Sequence, residues 1–157
     1  MVEYTPIFEK TDQFLALPPL YPCLIIAHPE IEQLYTVGQL LAKTYTWPTI
    51  AAGGRLSQDL LNVAPRRRPA MASRLFADLL QKYAPGPVLC QEIDLLFEPT
   101  LKLDPLRLFR EQSRHTTTAV LWPGSYINGI LTYAVPEHAH YQTWVQPELC
   151  DYCLIAL

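Results

Sequence analysis

Three groups of residues in the chain carry side chains able to do chemistry. The apolar run Val88-Leu89-Cys90 leads into Gln91-Glu92-Ile93-Asp94, so carboxylates stand where a buried strand would emerge. Paired carboxylates can do general acid–base work, and a strand with polar residues at its C-terminal end reads the same way. Arg107, Arg110 and Arg114 are spaced i, i+3 and i+7, which on one helix sets them within about 60° of one another around the axis. Such a stripe meets phosphates or a partner's carboxylates, and a solvated helix face near a C-terminus has the same pattern. Arg66, Arg67 and Arg68, with Arg74, form a second basic cluster, which an exposed loop before a helix also explains. Together the two clusters hold seven of the twelve basic residues. Cys150-Asp151-Tyr152-Cys153, taken with His138 and His140, supplies the four ligands of a zinc site. One CxxC beside one HxH is a loose signal, and an edge segment with incidental cysteines reads the same way.

These residues need elements to hold them. At 157 residues and 17.9 kDa the chain closes one domain with a core of its own. Residues 1–19 read as an irregular lead-in ending in Pro18-Pro19, and residues 20–157 as a single α/β domain. Tyr21 to Ala27 is a short continuous apolar run, the pattern of a strand buried on both faces. Glu30 to Tyr45 follows with helical spacing, then a short strand around Trp47 to Ala51, a turn at Gly53-Gly54 and a short helix capped by Ser57. The stretch after Arg66-Arg67-Arg68-Pro69 places Ala72, Leu75, Phe76, Leu79, Leu80 and Tyr83 on one helical face, and Pro85-Gly86-Pro87 stops it. Val88 to Cys90 is the next strand. Asp104 caps a helix that opens on Pro105 and runs to about His115. Thr116 to Leu121 is a further strand, and Leu131–Tyr133 and Cys153–Leu157 are strands or extended edges. Strands alternating with helices predict a three-layer α/β sandwich with a mainly parallel sheet.

Composition narrows the function classes. A formal net charge of −3 and a pI near 5.8 exclude a nucleic-acid binder that works by overall charge, so any DNA contact must come from the local arginine patches. No stretch approaches the roughly 18 apolar residues of a membrane span, and MVEYTPIFEK lacks the pattern of a signal peptide. Cytoplasmic location is the expectation. Charged residues make up 17 %, against a usual share of about 25 %, while three tryptophans, nine tyrosines and five phenylalanines exceed what a small core readily hides. Both point to a surface covered by partners, in a homo- or hetero-oligomer.

The order strand, loop, helix, later strand ending in acids, helix, strand resembles that of a P-loop NTPase core of AAA-like topology. Such a core cradles phosphates on a glycine-rich turn, with a lysine to pair them and a Ser/Thr to hold Mg²⁺. Laid on that pattern, Ala27 stands at the first glycine, Glu32 at the second, Gln33 at the lysine and Leu34 at the Ser/Thr. Gln91-Glu92-Ile93-Asp94 resembles the Walker B stretch of AAA-type ATPases, with Gln91 at the metal-binding position and Glu92 keeping the catalytic glutamate. The carboxylates of Glu30 and Glu32 suit a helix N-terminus and repel a triphosphate.

Ile93-Asp94-Leu95-Leu96-Phe97, Leu101 to Leu108, Ser113-Arg114, Trp122-Pro123-Gly124, Leu131-Thr132-Tyr133-Ala134 and Pro136-Glu137-His138 are similar to the BrxF family. These are small P-loop proteins of type 3 BREX phage-defence systems. The similarity spans residues 20–144, most specifically 104–141. It implies an AAA-like fold and a place in an antiviral, DNA-associated complex whose other proteins are its partners. With the nucleotide positions degenerate, the expectation is a non-catalytic adaptor needing no cofactor. The alternatives are a divergent AAA-like ATPase that uses Glu92 only within an assembly, and an interaction module stapled by zinc on His138, His140, Cys150 and Cys153.

Overall fold

The structure is a computed structural model and describes residues 3–157. Five strands form an all-parallel sheet: β1 (Cys23–His28), β2 (Thr49–Ala51), β3 (Val88–Gln91), β4 (Thr118–Pro123) and β8 (Leu154–Ala156). Their order is β2-β3-β4-β1-β8, with Cys23 level with Thr118 and Ile25 level with Leu154. The helices are α1 (Tyr4–Ala16), α2 (Ile31–Tyr45), α3 (Ala52–Leu60), α4 (Arg68–Gln81) and α5 (Pro105–Gln112).

Alternation along β1 divides the core. Cys23, Ile25 and Ala27 pack with α3, α4 and α5, whereas Leu24 and Ile26 pack with α1 and α2. With both faces covered, the central strands are unbroken apolar runs rather than alternating ones. The three-layer α/β sandwich with a parallel sheet is therefore present. A second sheet was not anticipated: β5 (Tyr126–Ile127), β6 (Ile130–Tyr133) and β7 (Gln142–Val145) form an antiparallel meander. Asn128 and Gly129, both at positive φ, make its first turn.

Three expectations need correction. The lead-in is helical. Ile7, Thr11 and Phe14 recur at i, i+4 and i+7 and are buried, and Pro6 falls in the first turn, where its missing N–H costs little. Gly53-Gly54 is not a turn, since α3 starts directly after β2 and takes both glycines inside it, with Ser57 in its interior rather than at its cap. Gly53 is needed there because its N–H donates to the Glu92 carbonyl at 2.8 Å, and a Cβ would overlap that oxygen. Finally, α5 stops at Gln112, three residues early. The Ser113 hydroxyl donates to the Arg110 carbonyl at 2.6 Å and turns the chain out of the helix.

Both free cysteines lie wholly inside this core. Burial pushes the Cys23 thiol from 9.0 up to about 11, and Cys90 is raised as well, first by burial and then by Cys23. The folded state keeps protons that the unfolded chain releases, so stability is full below about pH 9 and is lost as pH rises through about 11. Cys23 alone should account for roughly 2–3 kcal/mol. Melting temperatures at pH 8 and pH 10.5 check this: a Cys23→Ala protein should show the shallower alkaline loss, and equal slopes would contradict it.

Candidate functional site

In open α/β sheets ligands collect beyond the carboxyl ends of the strands, where neighbouring strands send their connections opposite ways. Here that place lies between β1 and β4, because the chain leaves β1 for β2 at one edge and leaves β4 for β8 on the far side of β1. The connection from β1 to α2 is only Pro29 and Glu30. Pro29 has no N–H, and the Glu30 N–H donates to His28 Nδ1 at 2.9 Å. The Glu30 carboxylate accepts from Gln33 Nε2 at 2.7 Å. Across the crevice the Gly124 N–H donates to the His28 carbonyl at 3.2 Å. The N–H groups of Glu30 and Gly124 are thus committed within the protein, and the exposed Glu30 carboxylate stands at the start of α2, bonded to Gln33. Leu34 is fully buried in the core and Ala27 is nearly so, while Glu32 is exposed on α2. The β1–α2 connection holds no glycine, lysine, serine or threonine of the kind that cradles a triphosphate and Mg²⁺.

Glu92 is exposed at the end of β3 with φ of 53°, and its carbonyl serves Gly53. Tyr35 reaches it from α2, its phenol held above its ordinary pKa by partial burial and then by the charges of Glu92 and Asp94. Asp94 is a structural acceptor. Its Oδ1 takes the Tyr133 hydroxyl at 2.5 Å and so ties the second sheet to the loop after β3. Burial, followed by this bond, raises the Tyr133 phenol.

The same loop carries Phe97, which stacks on Tyr133 with ring centres 3.6 Å apart and meets Trp122 and Trp144 edge-on. The cluster welds the meander to the parallel sheet. His138 packs on the edge of Tyr133, and His140 lies 5.5 Å from it, ring centre to ring centre, with Nε2 3.5 Å from Glu98. Cys150 and Cys153 are bonded to each other as a disulfide. Among the described residues no three His, Cys, Asp or Glu side chains converge to hold a metal ion. The four residues of the zinc alternative are thus not brought together.

The arginine clusters part ways. Arg68 Nε donates to the Leu60 and Val63 carbonyls, both at 3.1 Å, closing the end of α3. Arg66, Arg67 and Arg74 are exposed. On α5, the Asp104 carboxylate caps the helix by accepting from the Arg107 N–H at 3.2 Å, as its sequence position predicts. Arg107 pairs with Glu111 at 2.8 Å, and Arg110 pairs loosely with Glu148 at 3.7 Å. Arg114 lies in the turn beyond the helix, yet it stays beside Arg110 because both guanidinium groups rest on the Tyr21 ring, 5.5 and 5.8 Å from its centre. Arg107, Arg110 and Arg114 line one open groove of about 1210 Å³ between α5 and β7. Tyr21 and Trp144 complete it; Trp144 is one of the three tryptophans whose excess points to a covered surface, whereas Tyr21 reads from sequence only as the start of the β1 run. No motif links Tyr21 to arginines ninety residues away; only the fold does.

Comparison of the chain with family models, with curated proteins and with solved structures gives no significant match. The class that the fold defines is an α/β protein with a five-stranded parallel sheet and an added antiparallel meander. Among the described residues no helix is long and apolar enough to cross a membrane.

Proposed function

We propose that the chain is a non-catalytic adaptor on a degenerate P-loop frame of AAA-like topology. In its most specific form, it is a subunit of a BREX-type phage-defence or DNA-processing assembly. The observation that carries the adaptor reading is the two-residue β1–α2 connection, which has no glycine or lysine and where Glu30 spends its N–H on His28. The parallel sheet, with β1 between β4 and β8 and the acids after β3 at its carboxyl edge, supports the P-loop frame. The resemblance of residues 104–141 to the BrxF family supports the assembly. Contacts fall to the α5 groove, where Arg107, Arg110 and Arg114 meet a partner's acidic surface or DNA.

The experiment reconstitutes the chain with the proteins encoded beside it and measures ATP turnover with Glu92 intact and as Glu92→Gln. Unchanged turnover, with assembly lost in an Arg107/Arg110/Arg114→Ala protein, is the expected result. Turnover that collapses in Glu92→Gln would instead establish the divergent ATPase.

A further inference from the structure

The meander offers an unfinished sheet edge. β7 pairs with β6 alone, with Leu131 opposite Trp144 and Thr132 opposite Thr143. In an antiparallel ladder only alternate residues bond to a given neighbour. The Gln146 N–H donates to the Gly129 carbonyl at 2.7 Å, in the same register, so Trp144 and Gln142 also face inward to β6. The Thr132 N–H, in turn, goes to Ser125 on the β5 side. The N–H and C=O groups of Thr143 and Val145 therefore point outward. The strand Gln142-Thr143-Trp144-Val145 carries no lysine, proline or other blocking residue of the kind that protects edges.

Two further observations describe what would lie there. Ile127, Ile130 and Val145 stand level across the three strands, on one face. Ile127 is 64 % and Val145 71 % exposed, so an apolar row runs over the outer face and stops at the free edge. The inner face is that of Trp144, whose Nε1 donates to Asp104 at 3.2 Å, and it looks toward α5. There Asp104 is engaged by the helix N-terminus and Trp144, and Glu111 by Arg107. Arg114 has no ion pair among the described residues, and Arg110 has only the 3.7 Å contact to Glu148, which is 87 % exposed. The uncommitted charge on the inner side is positive.

We infer that the β7 edge takes up an extended segment of a partner protein as a fourth strand. Its side chains alternate between apolar residues, which continue the Ile127–Ile130–Val145 row, and acidic residues, which reach Arg110 and Arg114. Main-chain bonds to Thr143 and Val145 supply affinity, and the alternation supplies selection. This deepens the adaptor reading by naming the partner chemistry of the same groove.

A displayed library of random ten-residue peptides, selected on the intact protein, tests it. Alternating apolar and acidic sequences should be enriched. Their binding, read by fluorescence anisotropy, should weaken at least tenfold in Val145→Pro, which removes one outward N–H, while Val145→Ala keeps that donor and should lose less. Arg110→Glu/Arg114→Glu should also weaken it tenfold, without depending on how Val145→Pro folds. No enrichment, equal binding to Val145→Pro, or displacement of the peptides by a twelve-nucleotide oligothymidylate at lower concentration would overturn the inference. Failure here leaves the response to nucleotide untouched, so the two readings fall separately.

Discussion

Gly124→Ala should destabilise the protein by about 3 kcal/mol or more, near the upper end of what overpacking costs. Gly124 follows β4 at the point where the chain turns into the meander. A Cβ there would overlap the Thr132 carbonyl oxygen and lie 2.8 Å from its carbon and 3.2 Å from Tyr133 Cα. All three are backbone atoms, so no rotamer change gives relief. Moving β6 away would break the bond from Trp122 Nε1 to the Thr132 carbonyl and that from the Ala134 N–H to the Pro123 carbonyl, both 2.8 Å. Melting should fall by roughly 6–12 °C for a chain of this size. Gly54→Ala makes the contrast. Its Cβ would meet nothing closer than Ala51 Cβ at 4.0 Å, inside α3, so it should gain about 0.5–1 kcal/mol. Equal behaviour of the two variants would show that the meander is not seated against β4 as described.

Phe97→Ala should cost a similar amount, about 3–5 kcal/mol, for a different reason. Phe97 is 1 % exposed and touches the rings of Tyr133, Trp122 and Trp144, so its loss leaves a cavity and removes three aromatic contacts at once. Because Trp144 sits on β7, the damage should reach the groove. The fluorescence of Trp122 and Trp144 should redden and peptide binding at the β7 edge should weaken, while Phe97→Leu keeps most of both. Urea unfolding followed by tryptophan emission reads stability and ring environment together. An unchanged emission maximum would contradict the role assigned to this cluster.

The parts of this architecture that the sequence makes legible are those set by local pattern. The apolar runs of β1, β3 and β4 and the helical spacing after Arg68 are strong because one element buries whole faces of them. The Asp104-Pro105 start of α5 is a cap written in two adjacent residues. Features that depend on distant partners are not legible. α1 is seated by Ile7, Thr11 and Phe14 with Phe8 and Leu15 packed beside them, a face that becomes visible only once the strands it covers are in place. Gly53-Gly54 looks like a turn until the Glu92 carbonyl is placed against it. The arginine spacing assumed one continuous helix, yet what gathers Arg110 and Arg114 is Tyr21, from the other half of the chain. The carboxylates after β3 illustrate the same limit. The Walker B resemblance nominates Glu92 and gives Asp94 no role, yet it is Asp94 that the fold engages, with Tyr133, while Glu92 is left exposed.

The adaptor reading requires that the crevice between β1 and β4 bind no nucleotide, and thermal melting with and without Mg-ATP tests that most directly. A ligand present at a hundred times its Kd adds about 2.7 kcal/mol, which for a chain of this size raises the melting temperature by roughly 5–11 °C. With millimolar Mg-ATP the account predicts no shift, both for the protein as it stands and for Glu30→Gln. A rise of several degrees in the unaltered protein would contradict it and return Glu92 to a catalytic role.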